Sequence, residues 1–198
     1  MQYVTYREQI GQALKDLVVT ESQNNGLRPL DAEAGFLKWC RLTGEVKAKN
    51  KTMYFIGNGA SAMMASHMAA DASKCGGFRS LAFNDAAFLT AISNDIAYEQ
   101  VFSMPLKRFA NPGDVLVTVS SSGNSPNVLA GILAAKDIGL FVVTLSGMSA
   151  ENKSRQRGDL NFYIPANTYG LVEVSHQMLL HFWLDQFVDS EKSLGERS

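Results

Sequence analysis

Ser120, Ser121, Ser122 and Ser125 fall within six residues, in the stretch SSSGNSPN, around a glycine and directly before Pro126. Hydroxyls crowded at a flexible turn that opens a helix make a phosphate cradle. The first N–H groups of a helix lack intrahelical partners and carry partial positive charge, Ser hydroxyls add donors, and Pro126 suits the first turn. Such a cradle needs no lysine. A helix N-cap would also place a Ser here, but four exceed what one cap uses. A second loop, Gly57-Asn58-Gly59-Ala60-Ser61-Ala62, follows an apolar run and opens an amphipathic segment. It fits GxGxxA, a loose form of the dinucleotide fingerprint. The ribose-binding acid expected about twenty residues further on has no good candidate, since Arg79 begins the next strand and Asp85 lies well beyond it. Neither glycine turn is followed by GKS or GKT, which excludes a Walker loop. What remains is close backbone approach to a ligand, with Asn58 and Ser61 as polar contacts.

The elements that must position these loops follow from the hydrophobic pattern. From Thr52 onward short apolar runs alternate with amphipathic segments: strands are expected at TMYFIG, RSLAF, DVLVTVS, LFVVTL and LNFYIP, and helices near 60–74, 96–109, 125–138 and 168–190. This alternation signals βαβ units around a mostly parallel sheet, whose ligands collect beyond the carboxyl ends of the strands. Both glycine loops lie there. Residues 1–50 carry two helical patterns, Tyr3, Tyr6, Ile10, Leu14 and Leu17, then Leu30, Phe36, Leu37, Cys40 and Val46. The tail SEKSLGERS offers little to bury and is expected to fray. The 198 residues read as one domain: amino-terminal helices over 1–50, an α/β core with its last helix over 51–190, and a frayed tail over 191–198.

A net charge of -1, without a dense Lys/Arg cluster, gives no footprint for nucleic acid or anionic lipid. No apolar run is long enough to span a bilayer, and the opening MQYVTYREQIGQALKDL lacks the continuous apolar stretch of a secretory signal. Cys40 and Cys75 read as isolated thiols of a reducing compartment. A cytoplasmic protein with a small-molecule partner is expected.

Taken in order, GNGASA, AISNDIAYEQVFS and GDVLVTVSSSGNSPNVLAGILAAKDIG resemble the phosphoheptose isomerases of the sugar-isomerase (SIS) class. Segments of that family run GNGGSA, then SND or GND before an acidic aromatic helix, then STSGNSPNV. The likeness extends over residues 1–190, with SSSGNSPN its most specific part. It implies an α/β, SIS-type doubly wound fold with a five-stranded parallel sheet flanked by helices, a helical amino-terminal segment, and a homotetramer with sites between subunits. It also implies aldose–ketose isomerisation of sedoheptulose 7-phosphate to D-glycero-D-manno-heptose 7-phosphate, for lipopolysaccharide or capsule heptose biosynthesis. By the same resemblance Ser61, Ser120, Ser121, Ser122 and Ser125 would hold the phosphate, and Asn58 and Asp95 would line the sugar site.

The family also carries His, Glu, Gln and His on two helices, a set that binds zinc, one ion per active site. The matching positions here are His67, Asp71, Glu173 and His181, a departure at two of four. His67 and Asp71, four residues apart, share one helix face, and a His and a carboxylate facing another such pair suit a first-row divalent ion. The plainer readings are an exposed ion pair and, for Glu173, a carboxylate that complements a helix N-terminus. His176, three residues after Glu173, offers a Glu-x-x-His pair from a different face, so spacing leaves His176 and His181 both open. The resemblance favours His181, and casts Asp71 as catalytic base with His181 as its acid–base partner. Asp71 stands one methylene short of the family's Glu, and misplacement on the order of an ångström can lower turnover about a hundredfold. Before the last helix the family carries a polar segment ending in Ile-Gln-Glu, where this chain reads Asn167-Thr168-Tyr169-Gly170-Leu171-Val172-Glu173. A second class of function is a non-catalytic SIS protein, binding a phosphosugar or serving as an adaptor like the DnaA-binding relatives; a carboxylate and a His at the critical positions argue for the enzyme. A nicotinamide enzyme would leave SSSGNSPN without a purpose.

Overall fold

The computed structural model describes residues 2–24 and 26–195. In chain order the elements are α1 (Tyr3–Lys15), β1 (Val18–Gln23), β2 (Gly26–Leu30), α2 (Ala32–Ala48), β3 (Thr52–Gly57), α3 (Ala60–Lys74), β4 (Arg79–Ala82), α4 (Ala86–Asp95), a 3-10 turn (Tyr98–Gln100), α5 (Ser103–Phe109), β5 (Val115–Ser120), α6 (Pro126–Ile138), β6 (Phe141–Gly147), β7 (Leu160–Ile164) and α7 (Tyr169–Gly195). Strands β3, β5 and β7 are buried at every position, and β6 at all but its first. A parallel strand covered by helices on both faces has no solvent side, which is why these segments read as unbroken apolar runs.

The sheet order is β2-β1-β7-β6-β5-β3-β4. The five strands expected from the sequence are all present and parallel, with β4 a half-exposed edge. Among themselves they follow the doubly wound order 2-1-3-4-5, which places the topological switch between β3 and β5. The sheet is nevertheless larger than expected. Strands β1 and β2, which fall in the segment assigned to amino-terminal helices, pair antiparallel with one another, and β1 pairs with β7, which makes a seven-stranded mixed sheet. The inner positions of β1 include Thr20 and Glu21 where a strand signal wants apolar side chains. Glu21 is buried and ion-paired with Arg28 on β2 and with Lys38 on α2. These two cations hold its carboxyl below the usual carboxylate range.

Two helical expectations also change. The helix expected over 96–109 is a 3-10 turn followed by α5, with Pro105 in its first turn, where a missing N–H does no harm. An unexpected helix, α4, precedes it, capped by Asp85, which accepts from Phe88 N at 3.0 Å. At the carboxyl end α7 continues to Gly195, into the stretch expected to fray; residues 196–198 lie outside the described residues. The extension is tied back by the Lys47–Glu191 ion pair at 2.8 Å, and Ser190 and Ser193 donate to carbonyls one turn earlier.

Helices α2, α3 and α7 pack on one face of the sheet, α5 and α6 on the other. Trp39 of α2 stacks on Trp183 of α7, with ring centroids 4.4 Å apart and planes 11° from parallel. The Trp183 indole N–H donates to the Thr43 hydroxyl at 3.1 Å. Both indoles are fully buried. This lock fixes the rotation of α7 and hence which of its residues face α3. Among the described residues no helix is long and apolar enough to cross a membrane.

Candidate active site

Two loops meet at the switch between β3 and β5. Gly57 ends β3, where a Cβ would lie 2.7 Å from Val119 O, and Gly59 turns into α3 with φ +56. Ser61 is buried just inside that helix, and Ser120 and Ser121 are buried at the end of β5. Ser122 and Ser125 are half-buried. Ser125 occupies the N-cap position of α6, yet its hydroxyl makes no capping bond. The N–H it would cap, on Val128, is satisfied by Asn127 Oδ1 at 3.0 Å. The capping alternative therefore does not account for Ser125.

The connection from β6 to β7 braces this loop from outside. Gly123 has φ +62, and a Cβ there would come within 2.1 Å of Asn152 Oδ1. Ser154 N donates to Gly123 O at 2.8 Å and Lys153 N to Asn124 Oδ1 at 3.0 Å. Across the crevice Asn58 and Asn127 exchange a reciprocal pair of amide hydrogen bonds at 2.9 and 2.8 Å, and Tyr98 Oη donates to Asn58 Oδ1 at 3.0 Å. Asp95 ends α4 as an exposed residue, three positions before Tyr98. Neither loop contains Lys or Arg. Replacing Ser122 or Ser125 by Ala should accordingly weaken sugar-phosphate binding by about 1–2 kcal/mol, the worth of one hydrogen bond to a charged oxygen. Titration calorimetry measures this, and unchanged affinity in both variants would remove the cradle assignment.

Along α3 and α7 lies a second constellation. His67, Asp71 and His181 each offer a ligand atom, and the three atoms lie within 4.8 Å of one another. His67 Nε2 is 3.2 Å from Asp71 Oδ2, and the two imidazole centroids are 5.2 Å apart. Two imidazoles and one carboxylate, partly open to solvent, are the donor set of a catalytic divalent site with room for a further ligand. The residues present fit a metal.

Glu173, the fourth expected ligand, is not among the three residues whose ligand atoms lie within 4.8 Å of one another. It precedes His181 by eight residues, about 12 Å along α7. Half-buried, it lines instead a pocket of 390 Å³ with His67, Met63, Met64 and Gln177. His176 is a core residue: it is wholly buried, its Nε2 lies 3.1 Å from Ser146 O, and burial pushes its pKa down to about 4. Of the two histidines that spacing left open, His181 is the one that meets His67 and Asp71. Asn127, Tyr98 and Asn152 were missed by the sequence reading, although the first two lie inside segments that it singled out.

A 2-1-3-4-5 parallel sheet with serine-lined loops at its switch point, beside a His/carboxylate cluster on two adjacent helices, defines a phosphosugar-binding protein of the SIS class. The family model described as SIS domain matches residues 32–147. The phosphoheptose isomerase of Thiobacillus denitrificans is 33% identical over 189 residues, covering 89% of this chain and 95% of the relative. That of Campylobacter concisus is 33% identical over 150 residues, 72% of this chain and 78% of the relative. The solved phosphoheptose isomerase of Neisseria gonorrhoeae superposes with a TM-score of 0.78 at 25% identity, covering 93% of this chain and 96% of that one. A Francisella tularensis phosphoheptose isomerase, at 20% identity and a TM-score of 0.79, shares the fold. The chain belongs to the phosphoheptose isomerase family of SIS-domain proteins.

Proposed function

We propose that this chain interconverts sedoheptulose 7-phosphate and D-glycero-D-manno-heptose 7-phosphate. The observation that carries the reading is the placement of two sites along one helix. Ser61 opens α3 at the cradle and His67 follows six residues later, about 9 Å along the axis. An extended seven-carbon chain anchored by its phosphate covers that span, and a three-carbon one does not.

Serine hydroxyls and the α6 N-terminus bind the phosphate and fix the sugar's orientation. At the far end a proton must leave the carbon next to the carbonyl and return to its neighbour through an enediol, which requires a base and an acid in reach. His67, Asp71 and His181 would hold a divalent ion, zinc by the nature of the donors, which when bound supplies Lewis-acid polarisation of the sugar oxygens. Asp71 and His181, the acid–base pair implied by the family resemblance, are then engaged as ligands. A ligand displaced from the ion, Asp71 or His181, carries the proton; Glu173 stands where the family has Gln, an amide that moves no proton, so the role does not fall to it. The test is proton NMR of sedoheptulose 7-phosphate with enzyme and zinc in deuterated water: deuterium should enter at the carbon next to the carbonyl and aldose signals should appear. Absence of both would overturn the reading.

The same proposal includes a homotetramer. Met63, Val174 and Met178 are 75%, 48% and 47% exposed beside the cluster, an apolar surface that a neighbouring copy would cover while closing the site. Sedimentation at micromolar concentration should show a tetramer, and a stable, active monomer would contradict it. Free Cys40 and Cys75 accord with the reducing cytoplasm.

A further inference from the structure

The amide of Asn58 spans the crevice between β3 and β5 and is held from two sides. A backbone N–H can only donate, so the bond from Val128 N to Asn127 Oδ1 at 3.0 Å fixes which end of the Asn127 amide is oxygen. That same oxygen accepts from Asn58 Nδ2 at 2.9 Å, while Asn127 Nδ2 donates to Asn58 Oδ1 at 2.8 Å. The orientation set at a helix backbone is thus passed to Asn58. Tyr98, from a different element, donates its hydroxyl proton to the same Asn58 oxygen at 3.0 Å. Both lone pairs of Asn58 Oδ1 are taken, and one of its two amide protons is used. A single N–H is left. Asn127 is 1% exposed whereas Asn58 is half-buried, so Asn58 is the member of the pair within reach of a ligand.

We infer that Tyr98 and Asn127 are positioning residues that make Asn58 a one-way hydrogen-bond donor to the phosphate end of the substrate. An amide free to rotate would offer its oxygen to a hydroxyl as readily as its N–H to an anion. With the oxygen saturated, Asn58 presents only a donor, as the α6 N-terminus does on the β5 side, while the serine hydroxyls, which can donate or accept, turn their protons to an anion. A terminal phosphate, which accepts, gains from this arrangement; the terminal hydroxyl of an unphosphorylated sugar finds no acceptor at Asn58. Tyr98 therefore helps to determine specificity for the phosphorylated sugar. The inference rests on the assignment of the cradle to the substrate phosphate.

The experiment is a double-mutant cycle read by calorimetry with inorganic phosphate and by steady-state kinetics with sedoheptulose 7-phosphate. Tyr98→Phe should lower phosphate affinity about five- to tenfold, with the loss appearing in KM more than in kcat. Asn58→Ala should lose at least as much. Adding Tyr98→Phe to Asn58→Ala should cause no further loss, because the hydroxyl acts through the amide. An equal loss from Tyr98→Phe in both backgrounds, or no loss in either, would overturn the inference and leave the cradle standing. Wild-type protein that does not bind phosphate at all would overturn the cradle and the inference with it.

Discussion

Asp71→Asn should empty the divalent site and lower isomerase turnover at least about a hundredfold, since even residues that only hydrogen bond to metal ligands are worth ten- to a hundredfold. The amide keeps the shape of the side chain and can still meet His67, whose Nε2 lies 3.2 Å from the carboxylate. It loses the negative charge that a divalent ion needs beside two neutral imidazoles. Asp71 lies on the partly exposed face of α3, outside the hydrophobic core, so thermal unfolding in the absence of metal should stay close to that of the wild type. Metal content by mass spectrometry, on protein purified without an affinity tag, reads the first effect, and NMR turnover the second. Glu173→Gln is the contrasting variant: it restores the amide that the family carries at this position and should keep turnover while weakening the hold on the metal, which loses one nearby negative charge. Wild-type metal affinity in Asp71→Asn would mean that the cluster is an ion pair with a histidine beside it.

The second large effect concerns acid stability. His176 is fully buried, and its pKa falls from an ordinary value near 6.5 to about 4 because burial penalises the charged ring, with the Ser146 carbonyl opposing part of that shift. Between these two values the unfolded chain binds a proton that the native protein refuses. Stability is therefore fully present above about pH 6.5 and is lost as the pH falls towards 4, by roughly 3 kcal/mol over the window. Glu21, whose carboxyl is held low by Lys38 and Arg28, acts in the same direction further down, since its contribution is lost only as pH falls below the ordinary carboxylate value. Denaturant unfolding at one fixed protein concentration, from pH 7.5 to 4.5, measures the slope. His176→Gln can still hydrogen bond to Ser146 without titrating and should flatten the curve. An equally steep curve in that variant would assign the acid sensitivity to other groups.

The parallel core of the sheet was legible because burial on both faces erases alternation, leaving β3, β5, β6 and β7 as continuous apolar runs. The β1–β2 pair was not legible. Glu21 occupies a buried position that a strand pattern reserves for an apolar side chain, and it is tolerable only because Arg28 and Lys38 reach it in the folded protein. The pairing that makes β1 a strand, Val18 opposite Tyr163 through Glu21 opposite Leu160, joins segments that no local window contains. The start of α5 within 96–109 was readable in Pro105, which lies in its first turn, but α4 and its cap at Asp85 were passed over.

For the site, residue type and local order in the sequence by themselves determined the family, the serine loop with its helix start, and the candidate His and carboxylates, because these are properties of short segments. The tertiary structure decided which of them act together. The packing of α7 through the Trp39–Trp183 stack turns His181 towards His67 and Asp71, buries His176 under Ser146 and leaves Glu173 in the adjoining pocket. The bond from Val128 to Asn127 stands in for a Ser125 cap, and the Asn58 amide finds its partners on two other elements. Spacing along one helix fixes a side chain's direction only relative to its own axis; the rotation of that axis, and the partner across the gap, come from contacts between residues far apart in the chain.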